Sequence, residues 1–264
     1  MKECAIGIFD SGIGGLALVN QLNAILPNEK IIYYSKEVYT EDPSREKEIL
    51  TEYVNSCVEF LKSKNVKMII SASSDVNTLF GIKFPDVSVG FSGTFLPAAQ
   101  SACVVTRNNK IGIAGITSVI KKGGYAKIIK NIRQGITVTG AVCTRISEIV
   151  GDGLHISDNE MFESIRKDIA LIIDTKADTV IIADGISTLL TDRFAEIFGE
   201  GVMLISPFKE TARHICNDLL ETDMMSEREE FPDNEIFVEG SIGIYNRLLP
   251  LFLKRNNSLT NIKD

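Results

Sequence analysis

The sequence predicts an α/β protein built as two pseudo-symmetric lobes, each on a parallel sheet, facing a central cleft. Three observations carry that expectation. Short apolar, β-branched runs alternate with longer helical patterns, the order of strand–helix–strand units joined by right-handed crossovers. Most of those runs are continuous rather than alternating, as expected where helices cover both faces of a sheet. Finally, "AIGIFDSGIGG" near the start is echoed by "KIGIAGITSVI" from Lys110, and "VKMIISASS" by "ADTVIIADG", so that Ile6 matches Ile111 and Ser73 matches Asp184. Tandem lobes explain both echoes, and paired lobes place a ligand in the cleft between them, at the carboxyl ends of the strands.

Taken in order, "CAIGIF" reads as the first strand. It runs into "DSGIGG", where Asp10 or Ser11 would cap a helix and the glycines would admit a ligand to the backbone; a tight turn with a capping acid is the simpler alternative. "KIIYYS" is the second strand, and "SREKEILTEYVNSCVEFLKSK" a helix whose Ile49, Tyr53, Cys57 and Phe60 recur at helical spacing. "KMIIS" is the third strand. It breaks into "SSDVNT", which offers hydroxyls and an acid either as a ligand site or as an ordinary N-cap. "VSVGF", "KIGIAG" and "ITVTGAV" continue the strand series, with "GITS" after the second of them. "DNEMFESIRKDIALIIDTK" is a second long helix, and "TVIIAD" and "VMLIS" complete the strands. Asp184 opens the "DGIST" loop, either as a helix cap or as a site carboxylate, because a buried acid at a strand end is costly unless used or paired.

Composition narrows the classes. The chain has 264 residues, enough for one large or two modest domains, and its 44% hydrophobic and 24% charged shares are those of a globular protein. A net charge of −7 without a Lys/Arg-rich run argues against a nucleic-acid partner. The five cysteines (Cys4, Cys57, Cys103, Cys143, Cys216) are scattered and include no CxxC, which argues against disulfides or zinc and fits a reducing cytosol. Asp10 interrupts the N-terminal apolar run, too short for a signal peptide, and no apolar stretch approaches the roughly 18 residues of a membrane span. A cytoplasmic protein without a membrane partner is expected.

The segment "IGIFDSGIGGLALVNQLNAILPNEKIIYYS" closely resembles the opening of glutamate racemases. The likeness continues through "VKMIISASS", "KIGIAGITSVIKKGGY", "CTRISEIVGDGL", "ADTVIIADG", "GVMLISPFKETARHI" and "FVEGSIGIYNRLLPLFL", covering almost the whole chain in order. What the resemblance implies is the aspartate/glutamate racemase fold, with its first lobe completed by the C-terminal segment. The lobes would then be 1–97 plus 208–264, and 98–207. It further implies a homodimer, a small amino-acid or carboxylic-acid ligand, a place in amino-acid metabolism supplying cell-wall precursors, and isomerase chemistry without cofactor or metal.

That chemistry is proton transfer at the α-carbon by two cysteines on opposite faces. A thiol suits it because its ordinary pKa of about 8.5 lets both protonation states be reached near neutrality. The family's first cysteine stands in an Ala-Cys-Asn-Thr turn that matches Ala72-Ser73-Ser74-Asp75. Its second stands in Gly-Cys-Thr-His, which matches Ala183-Asp184-Gly185-Ile186. Neither position holds a thiol here. Ser73 would need its own strong base, yet the two histidines, His155 and His214, lie outside the motif loops. The five cysteines are expected to be small buried hydrophobes.

Asp10 and Ser11 keep their places, and Ser73, Asp184 and Asp10 are the candidates for acid/base work. Ser11, Ser74, Asp75, Gly185 and Ile186 are the candidate ligand contacts, with Glu41 and Asp42 standing where the family has Pro-Tyr-Gly. Carboxylates crowded at a pocket repel a dianionic amino acid by about 1 kcal/mol per pair even in water. The favoured expectation is a racemase-like protein that has lost two-cysteine glutamate racemisation and retains binding of a small molecule or partner. The alternatives are an active superfamily enzyme on another small acid with Asp184 as acid/base, and a divalent-cation site of Asp10, Asp75 and Asp184.

Overall fold

The computed structural model describes residues 1–38, 42–81, 83–84, 89–151, 157–255 and 257–262. In chain order β1 (Ala5–Asp10) leads to α1 (Leu16–Ile25), β2 (Ile31–Lys36), α2 (Glu46–Ser63), β3 (Val66–Ser71), α3 (Ser74–Phe80), β4 (Gly90–Gly93) and α4 (Phe95–Val105). There follow β5 (Lys110–Gly115), α5 (Thr117–Lys122), α6 (Gly124–Ile132), β6 (Thr137–Val142), α7 (Ile146–Gly151), α8 (Asp158–Asp168) and α9 (Ala170–Thr175). The chain ends with β7 (Thr179–Ile182), α10 (Thr191–Phe198), β8 (Met203–Ile205), α11 (Pro207–Glu221), β9 (Asn234–Glu239), α12 (Ile242–Phe252) and β10 (Asn257–Asn261).

Two compact units result, Met1–Thr94 with Thr211–Asp264, and Phe95–Glu210. The first holds a six-stranded sheet in the order β10-β9-β2-β1-β3-β4, the second a four-stranded sheet in the order β6-β5-β7-β8. All pairings are parallel. The order β2-β1-β3-β4 is thus repeated as β6-β5-β7-β8, which places the echoed segments on equivalent strands and bears out the α/β class with two parallel-sheet lobes.

Burial explains the continuous apolar runs. Every residue of β1 and of β3 is buried, as a strand covered on both faces requires. In the first unit Phe9, Ile32, Tyr34, Ile69 and Phe237 pack against α2, and in the second Ile111, Ile113 and Ile181 pack with Phe95, Tyr125 and Ile129. The buried stripe of α2 is Leu50, Tyr53, Val54, Cys57, Val58 and Leu61. The expected stripe is therefore displaced by one residue at each end: Ile49 and Phe60 flank it half-buried, and Phe60 stacks on Tyr34 with ring centroids 4.1 Å apart.

Other expectations need correction. The "VSVGF" strand begins at Gly90, and residues 87 and 88 lie outside the described residues. The second long helix is two helices, because the backbone turns at Ile169 (φ −95°, ψ 8°), which keeps Ile165, Ile169 and Ile172 buried together. Of the cysteines, Cys57, Cys103 and Cys143 are buried, whereas Cys4 and Cys216 are only partly so. Cys4 precedes β1 at the edge of the core, and Cys216 sits beside the buried Ala212, Ile215 and Leu219 of α11. Among the described residues no helix is long and apolar enough to cross a membrane.

Candidate functional site

In the first unit the parallel neighbours β1 and β3 end side by side, with the Ala72 N–H bonded to the Phe9 carbonyl at 2.9 Å. Asp10, 6% exposed, closes β1. Its Oδ1 accepts the Ser11 N–H at 2.8 Å and its Oδ2 the Gly15 N–H at 2.7 Å, so the carboxylate folds "DSGIGG" back on itself. Gly15 is required there, because a Cβ would stand 2.9 Å from Asp10 Oδ2 and 2.8 Å from Ala72 Cβ. Beneath the turn, the Tyr33 hydroxyl donates to the Gly12 carbonyl at 2.6 Å and lies 3.3 Å from Asp10 Oδ2. Tyr245 donates to Ser35 Oγ. Burial pushes the Asp10 pKa up to about 7 against these hydrogen bonds, and the negative charge of Asp75 adds to the rise.

Ser73 is fully buried and N-caps α3 through the Val76 N–H at 3.5 Å, while its Oγ lies 3.0 Å from Ser11 Oγ. The structure therefore brings Asp10, Ser11 and Ser73 together with Ser74 and Asp75, which form the half-buried first turn of α3. A hydroxyl partner does not make a serine nucleophilic, since it takes no proton at neutral pH. Asp42 is placed differently: it is exposed and accepts the Ser44 N–H at 2.9 Å and the Ser44 hydroxyl at 2.7 Å, which hold its pKa below the ordinary carboxylate value. Glu41 and His155 lie outside the described residues. His214 is on α11, 3.5 Å from the Asp218 carboxylate, in an exposed pair.

The second unit repeats the strand-end arrangement with other residues. β5 and β7 end side by side, and Asp184, 5% exposed, follows β7. Its Oδ1 accepts the Ser187 N–H at 2.8 Å and its Oδ2 the Ser187 hydroxyl at 2.7 Å. Burial raises its pKa, opposed by those bonds and by the backbone N–H groups of Ile186 and Ile116. Gly185 is buried beside it and Ile186 half-buried. Cys143, at the end of β6, is no substitute acid/base group: burial first, then the charges of Asp184 and Asp168, push its thiol up to about 12. Among the described residues no three His, Cys, Asp or Glu side chains are grouped to hold a metal ion, so the cation alternative gains no support.

Several contributors escape a reading of the strand ends alone. Asn77 is fully buried and its Nδ2 donates to the Ser71 carbonyl at 3.0 Å and the Ser73 carbonyl at 2.8 Å, while its Oδ1 accepts the Thr94 N–H at 3.1 Å. The signal that would find it is its position one helical turn beyond Ser73. Gly93 leaves room for that carboxamide: a Cβ there would overlap Asn77 Oδ1 and stand 2.6 and 2.9 Å from atoms of the Phe84 ring. Gly93→Ala is accordingly expected to cost about 1–3 kcal/mol of stability by overpacking, read as a lowered denaturation midpoint; an unchanged midpoint would show that the turn yields freely. Ser187 is legible as the third residue after Asp184, the spacing of a capping acid.

No family model matches the chain. Its sequence is 29% identical over 244 residues to the glutamate racemase of Oceanobacillus iheyensis, covering 91% of this chain and 88% of that protein. To the glutamate racemase of Bacillus cereus it is 27% identical over 248 residues, covering 92% and 91%. In fold it is similar to the glutamate racemase isoform RacE1 of Bacillus anthracis, with a TM-score of 0.87 at 24% identity over 99% of this chain and 98% of that one. It is likewise similar to the Francisella tularensis glutamate racemase solved in complex with D-glutamate, with a TM-score of 0.83 at 21% identity over the same shares. The chain is therefore similar to glutamate racemases in sequence and in fold.

Proposed function

We propose that this protein keeps the small-molecule site of a glutamate racemase-like scaffold, as an intracellular binding protein, without carrying out two-thiol racemisation. One observation carries the reading: the two positions that match the family's thiols hold Ser73 and Asp184, and both side chains are engaged in shaping their own loops. An α-proton is removed only by a base free to take it. Among the described residues the Ser73 hydroxyl is bonded to the Ser11 hydroxyl and the Val76 N–H, neither of which is a base. Asp75 in the first turn of α3 and Asp10 at the end of β1 also work against a ligand with two carboxylates, so free glutamate is expected to bind weakly. The ligand class that fits is a small amino or carboxylic acid of lower negative charge.

The test is loss of the α-proton NMR signal of L- and of D-glutamate in deuterated water. No loss beyond a protein-free control is expected; sustained exchange of either isomer overturns the proposal. A second reading, an active enzyme on another small acid with Asp184 as acid/base, draws on the upward shift of its pKa. Full turnover by Asp184→Asn on a substrate that the wild type converts would exclude it.

A further inference from the structure

Hydroxyls from β2 and α12 converge beneath the Asp10 turn of the first unit. Tyr245 of α12 donates to Ser35 Oγ, and Ser35, near the end of β2, donates its own proton to the Gly12 carbonyl at 3.3 Å. The Tyr33 hydroxyl donates to the same carbonyl at 2.6 Å and lies 3.3 Å from Asp10 Oδ2. Asp10, Tyr33, Ser35 and Tyr245 are all buried, so a donor or acceptor left over here has no bulk water to turn to.

A hydroxyl has one proton to donate, so Tyr33 serves either the Gly12 carbonyl or the Asp10 carboxylate in full. While Asp10 is protonated, Gly12 is the shorter contact and keeps that proton. Once Asp10 is ionised, the carboxylate is the stronger acceptor and Tyr33 turns to it. Ser35 then satisfies the carbonyl, its own proton left free because Tyr245 supplies the hydrogen bond to Ser35 Oγ. We infer that Tyr33, Ser35 and Tyr245 form a hydroxyl relay that keeps the Asp10 turn in one shape whether its carboxyl is neutral or charged, with Tyr245 as a remote positioning residue. The inference deepens the proposed binding role and rests on that reading for its consequence: a ligand at the turn meets the same backbone in both protonation states. The other titratable groups that face Asp10 are Tyr53 of α2 and Asp75 of α3. Burial raises the pKa of Tyr33, Tyr53 and Tyr245, so all three keep their protons while Asp10 titrates.

Titration of the Asp10 carboxyl in the full chain, followed by ¹³C NMR without any ligand, tests the relay even if the protein binds nothing. Tyr33→Phe removes the proton offered to the carboxylate and is expected to raise the titration midpoint by about one pH unit. Tyr245→Phe leaves Ser35 unanchored and Gly12 dependent on Tyr33, so the midpoint is expected to rise by about half a unit. Asp75 is common to every variant and does not enter these differences. The double variant is expected to match Tyr33→Phe alone, because the relay reaches Asp10 only through Tyr33. Additive shifts overturn the inference, since a residue that merely packs α12 would act independently of Tyr33. An unmoved midpoint in Tyr245→Phe overturns it as well. If a tyrosine variant does not fold, Ser35→Ala decides: a rise of about half a unit is expected, and an unmoved midpoint overturns the relay.

Discussion

Lys67→Met is expected to lower the free energy of unfolding by roughly 3–5 kcal/mol, the range for breaking a buried ion pair by removing one partner. Lys67 Nζ lies 2.6 Å from Glu29 Oε2, and each side chain is only 1% exposed. The same ammonium donates to the Lys2 and Met224 carbonyls, both at 2.8 Å, and Glu29 Oε1 accepts the Ser226 N–H at 2.8 Å. One buried pair therefore ties β3 to the segment before β1, the turn after α1 and the loop after α11. Methionine fills the space but strands the Glu29 charge away from water.

The neighbouring pairs of Lys2 with Asp223 and Glu227 join a Lys2 side chain 34% exposed to carboxylates that are mostly exposed, so solvent screening leaves each with little effect on stability. Urea denaturation measures the difference. The double variant Lys67→Met with Glu29→Met is expected to recover most of the loss, since it removes the stranded charge as well. A single-variant loss under about 1 kcal/mol would put the pair on a footing with the surface ones.

What could be read from the sequence follows what carries a local signal. β1, β3, β5 and β7 are apolar throughout because both faces are covered, and each announces itself as a run. β10 does not: Asn257–Asn261 is a sheet edge whose residues are mostly exposed or half-exposed, so its place depends on backbone bonds to β9 that no periodicity encodes. The same division runs through the candidate site. Asp10, Ser73 and Asp184 are legible because each is a polar residue that ends an apolar strand. Tyr33 is illegible because its partner, the Gly12 carbonyl under the first loop, is distant in the chain, and for Asn77 only the spacing to Ser73 is legible, not its bond to Thr94 beyond β4. In both units the polar strand-end residue is held by its own loop, and a choice between cap and reactive group needs those partners to be seen.

Asp10 gives the second large effect, and its sign is opposite to that of an ordinary paired carboxylate. Its pKa stands at about 7 in the folded protein, against 3.8 ordinarily, because burial disfavours the charge. Between those values the unfolded chain has released the proton while the folded one retains it. The stabilising contribution of Asp10 is therefore complete below about pH 4 and is lost as the pH rises to about 7, by roughly 4 kcal/mol in all. Wild type alone conceals this. Asp178 is partly desolvated, yet hydrogen bonds from Thr106 and from the Asn108 and Arg107 amides lower its pKa, so it destabilises the fold in the acid direction.

Asp10→Asn isolates the term, because asparagine is nearly the same shape and does not titrate. The stability of wild type minus that of Asp10→Asn, from urea titrations between about pH 4 and 8, is expected to fall steadily with rising pH and level off above 7. A flat difference would mean that the Ser11 and Gly15 N–H groups hold Asp10 ionised throughout. In that case the first strand-end turn carries a fixed negative charge, which would repel a carboxylate ligand at every pH. With the pKa near 7, protonation removes that repulsion on the acid side, so the same titration reports when the turn is least hostile to an acidic molecule.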